Sequence, residues 1–243
     1  MTPPQFAVVV PAFNEAQRLT ENLLTLLGYL QTYRPEAELI VVDDGSTDGT
    51  AQVAEALFVR RPDVMARVLR FAANRGKGHA VRAGLLAAQA PIAVFSDADL
   101  STPLTELPKI VEPIEAGKYD IVLGSRALDR SLIGHHQPWR REQGGKVFNR
   151  IVRLTTGLPF FDTQCGFKAF RMEAARPIIE QAQIDGFAFD VELLFLAQRA
   201  GLRFPSGSSL GTRKSELPFT PSGASGVRAR TRWMMFLAMS CSP

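Results

Sequence analysis

The chain has two cysteines in 243 residues, Cys165 and Cys241. Without a CxxC or a Cys/His ligand spacing, neither a disulfide framework nor a structural zinc site is expected, and a reducing compartment fits. Histidine is also scarce. His79, His135 and His136 have no carboxylate or cysteine at metal-ligand spacing, so surface placement or local hydrogen bonding is the expectation. No apolar run approaches the roughly 18 residues that cross a bilayer, and the opening "MTPPQFAVVVPAF" lacks a basic leader region; the expectation is a soluble or peripheral chain. There is no GxxxxGK[ST] and no GxGxxG, which sets aside a P-loop and a dinucleotide fingerprint. The formal charge of +4 comes from Arg213, Lys214, Arg228, Arg230 and Arg232 against Glu216, all beyond Phe204. A basic footprint interleaved with aromatics is missing, so nucleic acid is not an expected partner.

What the chain does have is an ordinary globular composition, 46% hydrophobic and 21% charged, long enough for one substantial core. Short Val- and Ile-rich runs at Phe6 to Val10, Leu39 to Val42, Val68 to Phe71, Ile92 to Phe95 and Ile121 to Leu123 read as buried strands. Helical spacing lies between them, clearest in Leu19, Leu23, Leu26, Leu27 and Leu30, weaker over Thr50 to Leu57, His79 to Ala88 and Thr105 to Ala116. Strict alternation of strand and helix gives an α/β fold: a Rossmann-like, doubly wound, mainly parallel sheet with helices on both faces.

The polar motifs fall on one side of that pattern. "PAFNE", "DDGSTDGT", "NRGKGHA", "SDADLST" and "GSR" follow the five strands in turn, whereas the segments entering the strands, such as "YRPEAE" and "EAGKYD", are plainer. In an open parallel sheet the strand C-termini form the ligand crevice. Asp97 and Asp99 end the apolar run "VFSDADLSTP"; unpaired carboxylates are costly there unless something binds them, and a Mg²⁺ or Mn²⁺ bridged to phosphates would. Glu15, Asp43 and Asp44 offer acceptors to a base and ribose, and "NRGKG" brings backbone and Lys77 towards phosphate. Plainer readings stay open: "DDGSTDGT" as a turn with a helix cap from Thr47 or Asp48, "NRGKG" as a loop, and the aspartates as solvated turn residues.

Taken together, "VVVPAFNE", "VVDDGSTDGT", "NRGKGHAVRAG" and "FSDADLSTP" resemble an inverting family 2 glycosyltransferase of the GT-A fold. "GSRALDRS", "RREQGGKVFNRIV", "DTQCGFKAFR" and "GFAFDVELLFLA" extend the likeness to the dolichyl- or polyprenyl-phosphate glucosyltransferase branch, over about residues 6 to 203. The resemblance implies a divalent cation on Asp97 and Asp99, and a nucleotide sugar seated by Pro11, Ala12, Glu15, Asp43, Asp44, Lys77 and Ala98. The acceptor it implies is a lipid monophosphate, met by Arg126, Arg140, Arg141 and Lys168, with Asp162 and Gln164 shaping that side. Cys165 stands where mannosyl-transferring relatives carry Ser, favouring UDP-glucose over GDP-mannose. Asp190 is the candidate base or hydroxyl-orienting carboxylate; a helix N-cap at Asp190 with Glu192 in the first turn is its structural alternative. Such an enzyme would work in the cytoplasm, peripheral at the inner face of a membrane.

Two other classes fit parts of the pattern. "DADLST" resembles the nucleophile loop of aspartate-dependent phosphohydrolases, although those carry it on their first strand, and a catalytically silent nucleotide-sugar binder would use the same crevice. Residues 204–243 break from the family: thirteen of the twenty-three residues from Phe204 to Gly226 are Pro, Gly or Ser, so a disordered tail is expected after a GT-A domain of residues 1–203. Its end, Arg228, Arg230 and Arg232 before "WMMFLAM", suits a membrane surface.

Overall fold

The computed structural model describes residues 3–124 and 165–205. Within them a six-stranded sheet has the order β3-β2-β1-β4-β6-β5. Its strands are β1 (Phe6–Ala12), β2 (Ala37–Asp43), β3 (Met65–Arg70), β4 (Ile92–Ser96), β5 (Ile121–Leu123) and β6 (Phe167–Arg171). The helices are α1 (Ala16–Tyr33), α2 (Thr50–Arg60), α3 (Lys77–Ala87), α4 (Leu107–Glu115), α5 (Met172–Gln181) and α6 (Phe189–Arg199). The first four strands pair in parallel, as the alternation required. β6 is the departure: it runs antiparallel between β4 and β5, with Phe95 opposite Lys168.

The continuous apolar run of β1 divides between two faces because side chains alternate along a strand. Val8 and Val10 join the core under α1, α2 and α4, with Leu19, Leu23, Leu57, Ile110 and Ile114. Ala7 and Val9 join the core under α3, α5 and α6, with Val81, Leu85, Ile178 and Leu194. Gly84 lets α3 approach the sheet closely, since a Cβ there would run into Val9 and come within 2.8 Å of Val42 Cγ2. The helical layers thus hold the strand C-termini along one edge.

The opposite edge is less plain than its sequence suggests. Glu38, buried in β2, accepts the amides of Gln89 at 2.6 Å and Ala90 at 3.1 Å. Asp120, buried just before β5, accepts from the Arg203 amide and guanidinium at 2.8 and 3.1 Å and from Arg171 Nε at 2.9 Å. It ties β5, the end of β6 and the segment after α6 together. These carboxylates need no ligand, because guanidinium and amide groups satisfy them.

Arg203, then Arg171, hold the Asp120 carboxyl well below the usual carboxylate range. A carboxyl whose folded pKa is depressed stabilises the fold above its unfolded value, about 3.9, and loses that contribution as pH falls through and below it. The urea midpoint should therefore fall from about pH 5 downward. Asp120→Asn should be less stable at pH 7 with a shallower acid decline, and parallel declines in the two proteins would contradict this role.

Candidate active site

The motifs at the strand C-termini first build one another. Asn14, at φ +53 after β1, accepts the Thr47 amide at 3.0 Å, and its own amide donates to Ser46 Oγ at 2.9 Å. Asp48 accepts the Ala16 amide at 3.0 Å and the Thr50 amide at 3.0 Å, so one carboxylate serves the starts of α1 and α2. Gly49, not Thr47 or Asp48, is the N-cap residue of α2, so the expected cap is not made in that form and Asp48 braces the entries to both helices instead. Pro11 and Ala12 end β1 beside Val42 and Asp43. Glu15 pairs with Arg18, its oxygens accepting at 2.9 and 3.0 Å.

Asp43 and Asp44 are both buried and both hold backbone. Asp43 Oδ1 accepts the Ser46 amide at 3.0 Å, and Oδ2 lies 3.8 Å from Arg70 Nε. Asp44 grips the third loop, accepting the Arg75 amide at 3.1 Å and the Gly76 amide at 2.7 Å. The amides of Gly78 and His79 donate to Asp185 O at 2.7 and 3.2 Å. The N-terminus of α3 thus points at a carbonyl, and the amides of Gly78 and His79 are engaged within the protein. His79 is buried edge-on against Phe71, 4.6 Å between centroids, and not on the surface; burial, then Arg75, pushes its imidazole pKa down.

The charged centre gathers at the end of β4. The Asp97 carboxylate forms an ion pair with the Lys77 ammonium, 2.6 Å from Oδ1 to Nζ, and the Asp97 amide donates to Gly166 O at 3.1 Å. Gly166 is required there, because a Cβ would overlap the Asp97 carboxylate. Ala98 is buried with its carbonyl on Asn22 Nδ2 at 2.8 Å, and Leu100 takes φ +48, so the turn leaves Asp99 exposed with Oδ1 on the Ser101 amide at 2.9 Å. Two hard carboxylates on one tight turn fit a divalent cation that fills its shell with water and phosphate oxygens. Among the described residues no group of three or more His, Cys, Asp or Glu side chains could form a full protein cage.

Beneath this turn lies an ion pair that sequence reasoning divided between two roles. Lys168, expected to face the acceptor, is 1% exposed; its Nζ lies 2.7 Å from Asp190 Oδ1, and it also donates to Cys165 O. The side chain is enclosed and paired within the protein. Asp190 does not cap α6 either, since Ala188 is the N-cap residue. Glu192 accepts the amides of Gln183 at 3.0 Å and Ile184 at 2.8 Å and so fixes the loop that carries Asp185. Burial pushes the Asp190 carboxyl up, and the Lys168 ammonium opposes it, with Lys77 and Asp97 near enough to act on it as well. Both ammoniums lie over the Phe95 ring, Lys77 at 5.6 Å and Lys168 at 5.3 Å. Arg126, Arg140, Arg141, Asp162, Gln164 and the tail from residue 206 lie outside the described residues.

A family model described as "Glycosyl transferase family 2" matches residues 7–179. The chain belongs to glycosyl transferase family 2. Family relatives include a dolichyl-phosphate beta-glucosyltransferase of Dictyostelium discoideum, 34% identical over 206 residues, covering 81% of this chain and 63% of that protein. The Drosophila melanogaster protein of the same description is 36% identical over 226 residues, covering 88% and 68%. The chain therefore spans a little under two thirds of several relatives it matches. Glucosyl-3-phosphoglycerate synthase from Mycobacterium tuberculosis, solved with Mn²⁺, UDP-glucose and phosphoglyceric acid, shares the fold at TM-score 0.60 and 22% identity, over 98% of this chain and 79% of that one. The GT-A fold expected of a family 2 member is the one observed, and a phosphohydrolase carrying its nucleophile on the first strand is set aside, since β1 supplies no aspartate.

The enclosed pair makes a stability prediction. Lys168→Met leaves a buried carboxylate without its counter-charge and should lower unfolding free energy by roughly 3–5 kcal/mol. Lys168→Met with Asp190→Leu should return close to the parent protein in urea titrations. Additive losses in the double variant would show that the two charges do not act as a unit.

Proposed function

We propose that this protein transfers a glucosyl group, with inversion, from UDP-glucose to a polyprenyl or dolichyl phosphate. The observation that carries the reading is the cluster at the end of β4, where Asp97, Lys77, Lys168 and Asp190 meet around Phe95. The relatives described as dolichyl-phosphate beta-glucosyltransferases support the acceptor and the sugar. The Mn²⁺ and UDP-glucose in the fold neighbour support the donor side.

Asp97 and Asp99 would hold a Mg²⁺ or Mn²⁺, which supplies charge neutralisation to the departing nucleoside diphosphate. Lys77 adds an ammonium on the same side, and Pro11, Ala12 and Glu15 form the neighbouring wall for the nucleotide. Asp43 and Asp44 serve it by fixing the two loops that face it. A phosphate oxygen of the acceptor attacks the anomeric carbon as the bond to the diphosphate oxygen breaks, the electron pair leaving with that oxygen. Because the acceptor phosphate is already ionised near neutral pH, no strong base is required. Asp190, held in place by Lys168, is then suited to accept a hydrogen bond from a sugar hydroxyl. The cations that meet the acceptor are assigned to Arg126, Arg140 and Arg141. No helix among the described residues is long and apolar enough to cross a membrane; a lipid acceptor would bring the protein to the cytoplasmic membrane face as a peripheral enzyme.

The test is a panel of radiolabelled UDP- and GDP-sugars incubated with undecaprenyl or dolichyl phosphate and scored for organic-phase label. UDP-glucose with a lipid phosphate should give the label. Labelling from GDP-mannose alone, transfer only to soluble acceptors, or binding without transfer would each contradict the proposal.

A further inference from the structure

Three features of the charged centre bear on how its ligands enter. Lys77 is the first residue of α3, and its starting point is fixed: Gly76, at φ +109, has its amide on Asp44, and a Cβ there would meet Asp185 O at 2.5 Å. From that anchored position the ammonium reaches Asp97 Oδ1 at 2.6 Å, with the two side chains 26% and 19% exposed. The amides of Gly76, Gly78 and His79 are engaged within the protein, and the Lys77 ammonium, already at the Asp97 carboxylate, is a charge that this loop can turn towards a phosphate.

We propose that Lys77 is a resident counter-cation for Asp97, which excludes a divalent cation until a nucleoside diphosphate arrives. The proposal rests on the reading of Asp97 and Asp99 as the donor's metal site. An ammonium and a divalent cation cannot share one carboxylate oxygen without strong repulsion, so a metal binding alone must separate Lys77 from the carboxylate it pairs with, while Asp190 is already paired with Lys168. A nucleoside diphosphate supplies a replacement anion. It takes the displaced ammonium and leaves Asp97 to the metal, so metal and nucleotide each strengthen the other's binding by the same factor. The device lowers occupancy of the carboxylates by free metal and makes the donor complex enter as a unit. Glu15 and Asp185 do not substitute for Asp97 here, because Arg18 pairs with the first and Arg75 and Arg82 with the second.

The test measures Mn²⁺ binding directly, by electron paramagnetic resonance of the free ion at fixed ionic strength, with and without UDP. It compares the full chain with Lys77→Met, Lys77→Arg and Lys77→Met/Asp97→Asn. Lys77→Met, which keeps the stem and removes the charge, should bind Mn²⁺ alone on the order of tenfold more tightly than the parent. The enhancement by UDP should shrink in the same variant. Lys77→Arg should stay near the parent, and Asp97→Asn should abolish the gain. If Lys77→Met binds Mn²⁺ alone no better than the parent, while UDP still enhances Mn²⁺ binding through Asp97, the counter-cation role is overturned and the donor site stands. If UDP enhances Mn²⁺ binding in no variant and Asp97 is irrelevant to it, both fall.

Discussion

The buried ion pair of Lys168 with Asp190 is the constraint around which the carboxyl edge of the sheet is organised. Lys168 belongs to the antiparallel strand β6, Asp190 to the first turn of α6, and the same ammonium binds the Cys165 carbonyl that precedes β6. Separating the two charges would leave one of them dry and unpaired, so strand, helix and the approach to β6 stay together. Phe95 of β4 packs against this assembly through both the Lys168 ammonium and Phe189, 5.7 Å between ring centroids. The turn that carries Asp97 and Asp99 is therefore built on a floor that resists shear. Gly166 lies against the Asp97 carboxylate so closely that a Cβ there would overlap it.

Above the floor, the polar residues of the loops have a division of labour. Asn14, Asp43, Asp44 and Asp48 bind mainly backbone amides, and through them the three loops after β1, β2 and β3 fix one another. Asp99, exposed at the turn, and the Lys77–Asp97 ion pair are the groups proposed to meet the donor. Electrostatic preorganisation of this kind needs both layers, because a charge stabilises a transition state only if it is already in place.

Much of the architecture was legible from residue pattern. The continuous Val and Ile runs gave β1, β2 and β4, the leucine spacing gave α1, and the motifs after successive strands located the crevice. β6 was not legible as a strand: "FKAFR" has a Lys and an Arg in five residues, and Lys168 is tolerated in the core only because Asp190 arrives from another element. For the same reason the roles of Lys168 and Asp190 were assigned separately, one to an acceptor and one to a base or cap. The backbone that Asp44 holds was not legible either. The partners of Asp44 are backbone amides, which leave no mark in a sequence, so a loop-holding carboxylate and a ligand-holding one look alike. Glu38 and Asp120 show the same ambiguity at the other edge of the sheet.

The central claim is that the Asp97 and Asp99 turn is a metal-dependent donor site. The most direct measurement is calorimetric titration of UDP-glucose into the parent protein and Asp99→Ala, each with and without Mn²⁺. Asp99 is exposed and, among the described residues, accepts the Ser101 amide, so its replacement should leave the fold intact. The account predicts that Mn²⁺ strengthens binding to the parent and that Asp99→Ala loses most of that gain. Equal affinity in all four titrations would contradict it.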